Sequence, residues 1–464
     1  MKVRANLQSL FWALFLLFFV TRFLLAFRPH GVFWDEAVYF AMGKYLYSLG
    51  TVGLWEALRP IFLPFLFGAT WKFGFFPFFF SEMIVILFSA GYVILTYIIA
   101  RYFVGEKIAV LSGLIVLLTP SFFKHSALFL TDIPSTFFVL FALLLIYKQN
   151  YFFAGVFSGA AFLTRFPQGL IVLCVTALLL PRWRSHLTYY LNYLAGFAVS
   201  ITPFLIFNYF MYQNETTLFY SLIRPLIFAA EAQGNIWAAE GSSLFFYFIE
   251  MIKDNPLFIF ALVGVAVYFA QKKYRSEFNI LFFTFFIYLF YFSIIINKQL
   301  RFGLAFLPFL AIISAYGIFY LFNLLKQWHL HPILIIVFIG LGVFSVYSER
   351  TIVDERANFE PEITEFYRYP FEGVVLTSDP VPAAYSNARF IPYYTGIPSV
   401  QQMNDHLSND EVSAVIYTPR SFPCLEEDLE CKRLRSELFT VINSHTLIFN
   451  QSYWGEQYLI YSIT

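Results

Sequence analysis

Apolar runs long enough to cross a lipid bilayer recur along most of this sequence. The first extends from Leu7 to Phe27, close to the roughly 20 residues that a helix needs to span the hydrocarbon core. Only 13% of the 464 residues are charged, whereas soluble globular proteins carry about 25%. The pattern therefore predicts a polytopic, α-helical membrane protein.

Positively charged residues between the apolar runs predict how the chain is oriented. Lys2 and Arg4 precede the first span, so the positive-inside rule places the N-terminus in the cytosol. Basic residues also mark later short loops, and if these loops are all cytosolic the spans between them come in pairs. The result is about eleven transmembrane helices. After the first helix, the predicted spans lie at roughly 80–100, 108–124, 132–147, 152–164, 168–180, 188–211, 255–270, 278–296, 303–323 and 332–348.

This orientation requires that the aromatic stretch 60–76 is interfacial or re-entrant and does not cross the membrane. Under this orientation, acidic residues lie at two places on the outer face. Asp35 and Glu36 follow the first span directly, and Asp132 begins a later one. Carboxylates beside a membrane span are costly unless they are solvated or paired, so they mark a candidate functional site. The alternative is an ordinary solvated loop in which Asp35 is the N-cap of a helix.

Cationic residues at the same face break the positive-inside trend. Arg165 lies within an apolar hairpin, and Lys298 and Arg301 lie between two long spans. A half-buried arginine in a membrane protein usually faces a polar cavity and pairs with an anion. Alternatively, Arg165 could form a structural ion pair with Asp35 or Asp132. Lys298 could instead be an anchor whose amine reaches the membrane interface.

The composition changes after residue 348, where charged residues, proline and asparagine become more frequent. Short apolar runs at 373–376, 414–417 and 458–461 are typical of buried strands, and 428–438 is typical of a helix. We therefore predict a transmembrane domain over 1–348, with a first outer loop at 28–79, and a small extracytoplasmic α/β domain over 349–464. Cys424 and Cys431 could form a disulfide if this domain lies outside the cytosol.

Five short motifs occur in a characteristic order along residues 1–325. They are Trp34-Asp35-Glu36-Ala37-Val38-Tyr39, Arg59-Pro60-Ile61, the segment from Thr131 to Phe138, the segment from Ala154 to Pro167, and Lys298-Gln299-Leu300-Arg301-Phe302 leading to Pro308. This order resembles the GT-C superfamily of polyprenyl-phosphate-sugar glycosyltransferases. The branch it resembles is that of the protein O-mannosyltransferases and aminoarabinose transferases, the glycosyltransferase family 39 type.

The resemblance implies an inverting glycosyltransferase that takes a sugar from a polyprenyl phosphate (dolichyl or undecaprenyl phosphate) at the outer or lumenal face. It implies that Asp35 is the base that activates the acceptor, with Glu36 beside it and Asp132 as a second acidic site. The donor phosphate would be bound by the cations Lys298, Arg301 and Arg165. Arg59 and His125 are further candidates for substrate contact, although Ile61 stands where the family more often has a second proline.

The implied chemistry matches these residue types. A carboxylate within hydrogen-bond reach can take the proton of an acceptor hydroxyl or amine, and a guanidinium donates two parallel hydrogen bonds to a phosphate. No metal is required, although Asp35, Glu36 and Asp132 could hold a divalent cation. The expected partners are a polyprenyl-phosphate-linked sugar, a protein, lipid or glycan acceptor, and membrane lipid. A net charge of +1 gives no indication of nucleic-acid binding.

Two other functions stay open at this stage. The chain could be a flippase or transporter of polyprenyl-linked sugars, or an inactive subunit of a glycosylation complex. A transporter built from repeats would show internal symmetry, which this sequence does not display. The expected location is the plasma membrane of an archaeon or bacterium rather than the endoplasmic reticulum.

Overall fold

The structure, a computed structural model, describes residues 2–28, 31–74, 76–179, 183–212, 219–231, 244–270, 275–295, 297–327, 340, 363–394, 399–408, 410–422, 424, 428–453 and 455–463. The chain divides into two compact units. The helical unit contains Met1–Arg28, Glu82–Tyr220 and Ala239–Ala357, and the loop–sheet unit contains Pro29–Ser81, Ser221–Ala238 and Asn358–Thr464.

Helices and strands follow one another in a fixed order. The described helices are α1 (Lys2–Leu25), α2 (Trp34–Tyr47), α3 (Phe62–Phe73), α4 (Pro77–Val104), α5 (Glu106–Leu117), α6 (Pro120–His125), α7 (Asp132–Tyr147), α8 (Tyr151–Thr164), α9 (Leu170–Leu179), α10 (Trp183–Met211), α11 (Tyr220–Glu231), α12 (Phe246–Asp254), α13 (Ala261–Ala270), α14 (Arg275–Ile294), α15 (Leu307–Gln327), α16 (Ile363–Tyr367), α17 (Val381–Tyr385), α18 (Val400–Leu407) and α19 (Leu429–Ile442). The described strands are β1 (Gly53–Leu54), β2 (Val374–Thr377), β3 (Arg389–Pro392), β4 (Val412–Tyr417), β5 (Thr446–Tyr453) and β6 (Glu456–Ser462).

Four helical segments among the described residues are long and apolar enough to cross a membrane: Gln8–Leu25, Pro77–Val104, His186–Met211 and Leu307–Leu325. Shorter apolar segments of 10–17 residues are Asp132–Tyr147, Tyr151–Thr164, Phe166–Leu178, Pro256–Ala270 and Asn279–Ile294. The predicted span at 108–124 is divided between α5 and α6, because Pro120 has no N–H with which to continue a helix. Apart from residue 340, the predicted span at 332–348 lies outside the described residues, so the number of eleven stays a prediction.

The aromatic stretch at 60–76 contains the short helix α3. Its 12 residues are about 18 Å long, less than the roughly 30 Å of a bilayer core, a length that favours the prediction that this stretch does not cross the membrane. It packs against α2 at Gly43 and Gly68, where a Cβ atom on either glycine would collide with the backbone of the other helix. The close approach holds α3 alongside the helix that carries Asp35.

A six-stranded sheet forms the centre of the loop–sheet unit, with the strand order β1-β3-β2-β4-β6-β5. The pairs β1–β3, β3–β2 and β2–β4 are parallel, whereas β6 is antiparallel to both β4 and β5. The apolar runs predicted as strands lie in β2, β4 and β6. Their buried side chains pack with those of α18 and α19 in a core that includes Leu376, Met403, Val415, Leu438 and Ile442.

The strand β1 comes from the first loop and not from the C-terminal region. Gly53 and Leu54 pair with Arg389 and Phe390 of β3. The loop therefore belongs to the same compact unit as the C-terminal residues, a grouping that the sequence did not predict. The predicted domain boundary at 348/349 itself lies outside the described residues.

Lys44 joins α2 to the C-terminal residues of the loop–sheet unit. The side chain is only 1% exposed, and its Nζ donates hydrogen bonds to the carbonyl oxygens of Ala383 and Ala384, each at 3.2 Å, and to that of Ser386. These carbonyls lie at the C-terminal end of α17, where a positive charge is favourable. Burial lowers the pKa of Lys44 to about 7. The contact fixes α2, and with it Asp35, against the sheet.

Cys424 and Cys431 form a disulfide, so the pairing that the sequence left open is present. The bond ties the segment after β4 to the first turn of α19. Asp428 is the N-cap of that helix, and its carboxylate accepts a hydrogen bond from the Cys431 N–H at 2.9 Å. The buried Cys174 is the remaining cysteine of the three in the chain.

This disulfide predicts a simple thiol count. Denatured protein should react with maleimide at Cys174 alone, and at two further cysteines after reduction. The double variant Cys424→Ser/Cys431→Ser should be less stable by about 2 kcal/mol, because a disulfide between residues seven apart closes a short loop of the unfolded chain. Intact mass after alkylation measures the count, and Cys174→Ser is the control. Reaction of all three thiols before reduction would contradict the pairing.

Candidate active site

Asp35 lies in the first turn of α2 and is paired with Arg59. Arg59 Nη2 is 2.7 Å from Asp35 Oδ1, and Arg59 Nε is 2.7 Å from Glu56 Oε2. The side chains of Arg59 and Asp35 are 25% and 19% exposed, so solvent reaches both. Burial alone would lower the pKa of Arg59. The negative charges of Asp35 and Glu56 have the larger effect, and they raise this pKa well above its usual value. A carboxylate and a permanent cation therefore share one accessible site.

Glu36, the neighbour of Asp35, has a different environment. Its side chain is fully buried, and its Oε2 accepts a hydrogen bond from the Phe33 N–H at 2.9 Å. The N-cap of α2 is Phe33, so the alternative in which Asp35 caps the helix is wrong. Glu36 closes the first helical turn and thereby helps to position Asp35.

Tyr394, which follows β3, completes the surroundings of the Asp35–Arg59 pair. Its ring centre is 4.8 Å from that of Trp34, the residue before Asp35. Burial raises the pKa of Tyr394 well above its usual value, and the negative charge of Glu56 adds to this effect. The phenol therefore stays neutral near Glu56. In this way a residue of the C-terminal region contributes to the site formed by the first loop.

In the helical unit, Asp132 and Arg165 form a buried ion pair. Asp132 begins α7, Arg165 follows the last residue of α8, and Arg165 Nη1 contacts Asp132 Oδ1. Their side chains are 3% and 12% exposed. The Arg165 guanidinium also lies over the ring of Phe302, 4.6 Å from its centre, and 5.6 Å from the ring centre of Phe292. Of the two acidic partners considered for Arg165, the structure shows Asp132.

Lys298 and Arg301 lie at a 3-10 turn, Leu300–Ala305, that precedes α15. Lys298 is only 7% exposed, so it is not a solvated anchor at the membrane interface. Arg301 Nε donates a hydrogen bond to Gln299 Oε1 at 2.6 Å. The turn is held from the other side by Tyr92, whose hydroxyl donates to the carbonyl of Leu304 at 2.8 Å.

A cavity of about 380 Å³ opens next to this turn. It is lined by Pro120, Ser121, Lys124, His125, Asp254, Gln299, Leu300 and Arg301. Burial lowers the pKa of His125 to about 4, with the cations Arg301, Lys124 and Arg22 acting in the same direction. Burial raises the pKa of Asp254 to about 6, although a hydrogen bond from Ser121 acts to lower it. Arg301 and His125 therefore meet in one cavity of the helical unit.

Comparison with known proteins shows which fold this architecture is similar to. Residues 59–210 match the sequence profile of the family described as dolichyl-phosphate-mannose-protein mannosyltransferase. The crystal structure of ArnT from Cupriavidus metallidurans bound to undecaprenyl phosphate is similar with a TM-score of 0.67, at 12% identity, over 98% of each chain. The chain has a GT-C membrane fold. The resemblance predicted from the five motifs is thereby confirmed.

A second GT-C structure is also similar. The archaeal oligosaccharyltransferase AglB from Archaeoglobus fulgidus, in complex with an inhibitory peptide and a dolichol-phosphate, has a TM-score of 0.56 at 13% identity. The match covers 96% of this chain and 74% of AglB. A search of curated protein sequences found no match. With this fold and its apolar helices, the chain is an integral membrane protein.

Each of the three carboxylates that could hold a divalent cation contacts another group of the protein. Asp35 contacts Arg59, Glu36 contacts the N-cap of α2, and Asp132 contacts Arg165. Among the described residues, no three His, Cys, Asp or Glu side chains are grouped as a metal site. Independence from metal stays a prediction. A crystal structure of the A. fulgidus oligosaccharyltransferase with zinc and sulfate, at a TM-score of 0.52, shows metal bound to a protein of this fold.

Several polar residues beside these sites were not identified from the sequence. Glu56 precedes Arg59 by three residues, a spacing that allows an ion pair and could have been recognised. Arg22 is a cation inside the first apolar run, 1% exposed, with its guanidinium 3.6 Å from the centre of the Phe123 ring. A charge in a membrane span is itself a signal of function. Tyr394 and Asp254 carried no local signal.

Proposed function

We propose that this protein is an inverting glycosyltransferase that moves a sugar from a polyprenyl phosphate to an acceptor at the extracytoplasmic face. The observation that carries this proposal is the accessible Asp35–Arg59 pair in a chain with the GT-C membrane fold. The solved structures of similar fold support a lipid-linked donor, since that of ArnT has undecaprenyl phosphate bound and that of AglB contains a dolichol-phosphate.

The proposed reaction is a single displacement. The Asp35 carboxylate takes the proton of an acceptor hydroxyl or amine, and the acceptor atom attacks the anomeric carbon of the sugar. The bond between that carbon and the phosphate oxygen breaks, and polyprenyl phosphate leaves with one more negative charge than it carried in the donor. Attack opposite the leaving group inverts the anomeric centre, by the geometric logic of inverting glycosidases.

Cations are needed to stabilise the charge that develops on the departing phosphate. Arg59 is a candidate for this role, because it keeps its positive charge beside Asp35 and has several N–H donors. Within the helical unit, Lys298 and Arg301 remain our candidates for binding the donor phosphate. Each fixed donor of this kind contributes on the order of a few kcal/mol to lowering a barrier.

The extracytoplasmic placement of the site is also part of the proposal. The disulfide between Cys424 and Cys431 lies in the same compact unit as Asp35, and disulfides persist mainly in oxidising compartments. We therefore place this unit outside the cytosol. For the membrane itself we propose the plasma membrane of a bacterium or an archaeon.

The decisive experiment is a donor panel. Purified protein in detergent is incubated with polyprenyl phosphates carrying different hexoses and pentoses, together with a membrane extract as the acceptor source. Release of free polyprenyl phosphate with one donor and not with the others is the expected result, and it identifies the sugar. Tight donor binding with no release in the presence of extract would favour a flippase or an inactive subunit instead.

A further inference from the structure

The carboxyl ends of four parallel strands lie side by side at one edge of the sheet, in the order β1-β3-β2-β4. Each strand is followed within three residues by a charged or phenolic side chain. In the order of the strands, these residues are Glu56, Tyr394, Asp379 and Arg420. Glu56 is bound to Arg59, so the site at Asp35 is one end of a longer polar row.

Neighbouring members of this row act on one another. Burial has the largest effect on the pKa of Tyr394, and the charges of Glu56 and Asp379 raise this pKa further. Arg420 Nη2 is 3.3 Å from Asp379 Oδ2. Three strand spacings separate β1 from β4, so Arg420 lies roughly 14 Å along the edge from Glu56.

The strand order reverses between β2 and β4. The chain passes from β2 to β3 on one side and then to β4 on the other, and open sheets bind ligands in the crevice at such a reversal. The segments after the two strands meet here, because the Thr418 N–H donates to Ser378 Oγ at 2.8 Å. Asp379 is fully buried, and its Oδ1 accepts a hydrogen bond from the Val381 N–H at 2.9 Å. A fixed carboxylate therefore holds Arg420 at the crevice.

Arg420 keeps the capacity to bind a ligand. Its side chain is 34% exposed, and a guanidinium has five N–H donors, of which the contact with Asp379 uses one. The guanidinium carbon is 5.1 Å from the centre of the Tyr458 ring. The Tyr458 hydroxyl is buried and has no hydrogen-bond partner among the described residues. These groups suit a ligand that carries both an anionic group and hydroxyls.

The sheet offers little to a peptide at this end. A peptide strand would add to a free sheet edge through a ladder of main-chain hydrogen bonds. The edge strand β1 has only two residues, and the N–H and carbonyl of Val52 before it are bonded to Ser48 Oγ, at 2.9 and 3.1 Å. The other edge strand, β5, lies at the opposite end of the sheet. Side-chain hydroxyls and aromatic rings, such as that of Tyr394, favour a chain of sugars instead.

We propose that the acceptor is an anionic glycan that lies along the carboxyl edge of the sheet, with its reacting hydroxyl or amine at Asp35 and its phosphate or carboxylate at Arg420. The separation of these two groups is one that about three sugar rings span. The inference rests on the function proposed above, and it adds Arg420 as the residue that selects the acceptor. Asp379 is a positioning residue that holds Arg420.

Binding of three probes to the full-length protein in detergent tests this assignment: trigalacturonic acid, the neutral trisaccharide maltotriose, and a hexa-aspartate peptide. Arg420→Gln should weaken binding of trigalacturonic acid by about tenfold or more, as expected for a lost charge-assisted contact. The matched control is Arg433→Gln, which changes a 67% exposed arginine of the same unit and should not weaken it. Equal binding by both variants, or equally tight binding of maltotriose, would overturn the anion contact. A response of hexa-aspartate alone would replace the glycan by an acidic peptide.

A second variant keeps the test valid if Arg420→Gln folds poorly. That substitution leaves the buried carboxylate of Asp379 without its partner, which is destabilising. Asp379→Asn/Arg420→Gln removes both charges, and it should unfold near the wild-type temperature while still losing affinity for trigalacturonic acid. Arg420→Lys keeps the charge and should restore part of the affinity. A folded double variant that binds trigalacturonic acid like wild type would show that the pair is structural alone.

Turnover distinguishes failure of this inference from failure of the proposed function. With acceptor from membrane extract, Arg420→Gln should raise the KM for acceptor by about tenfold, with a much smaller change in kcat. Release of polyprenyl phosphate by wild type, with an unchanged acceptor KM in Arg420→Gln, would reject the glycan site and leave the transferase intact. Binding of trigalacturonic acid that depends on Arg420, without release from any donor, would support the glycan site and reject the transfer reaction.

Discussion

Replacing Asp35 with asparagine is expected to lower sugar transfer by at least about 100-fold, because a positioned general base contributes roughly 10²- to 10⁴-fold. The asparagine oxygen can still accept the hydrogen bond from Arg59, so the site should keep its shape while losing the ability to take a proton. The measurement is the rate of polyprenyl phosphate release at saturating donor, together with a thermal unfolding curve.

Two controls identify the cause of such a loss. Asp405→Asn changes an exposed carboxylate of the same compact unit and should leave the rate unchanged. Glu56→Gln removes the other carboxylate bound to Arg59 and tests whether misplacement of Arg59 is enough to stop the reaction. Near-normal turnover by Asp35→Asn would remove Asp35 as the base. A loss as large in Glu56→Gln would show that both carboxylates act by holding Arg59.

The largest expected effect on stability comes from the pair of Asp132 and Arg165. Arg165→Met should destabilise the protein by about 3–5 kcal/mol, because it leaves a nearly inaccessible carboxylate without its counter-charge. The double variant Asp132→Asn/Arg165→Met should recover most of this loss, since it removes both charges. Unfolding in mixed detergent micelles with increasing dodecyl sulfate measures the difference in free energy.

An exposed ion pair provides the comparison for this experiment. Lys253 and Glu250 are 66% and 31% exposed, so Lys253→Met should change stability by less than about 1 kcal/mol. Equal destabilisation in the Arg165 single variant and in the double variant would contradict the role of the charge pair. The double variant has a second use: a folded protein that transfers no sugar would assign the Asp132–Arg165 pair a part in the reaction itself.

The membrane helices could be predicted where polar residues border a clear apolar run. The predicted span 132–147 coincides with α7, because Asp132 and Lys148 bracket fifteen apolar or small residues. The span 108–124 was predicted as one helix although Pro120 lies inside it, and the proline divides it into α5 and α6. Hydropathy detects the apolar run, whereas the break depends on the missing backbone donor.

The candidate site could be predicted in part. Asp35 and Asp132 were identified because a carboxylate at the edge of an apolar segment is conspicuous in itself. Their partners depend on contacts between segments that are distant in the chain. Tyr394 lies more than 300 residues after Trp34, against which its ring packs, and neither residue has a local pattern that indicates the other. The strand β1 has two residues, too few for any alternation of apolar and polar residues to be visible.

The pairing of β1 with β3 has a consequence for how the protein is made. Ribosomes deliver the chain from its N-terminus, so the loop with Asp35 is synthesised long before Arg389 and Phe390, the residues that pair with β1. The three carbonyl groups that hold Lys44 also come late in the chain. A nascent chain that ends before β3 has no partner for either contact. The contacts of the first loop with β3 and with the C-terminal end of α17 therefore form late in biogenesis, and a product released early by the ribosome lacks them.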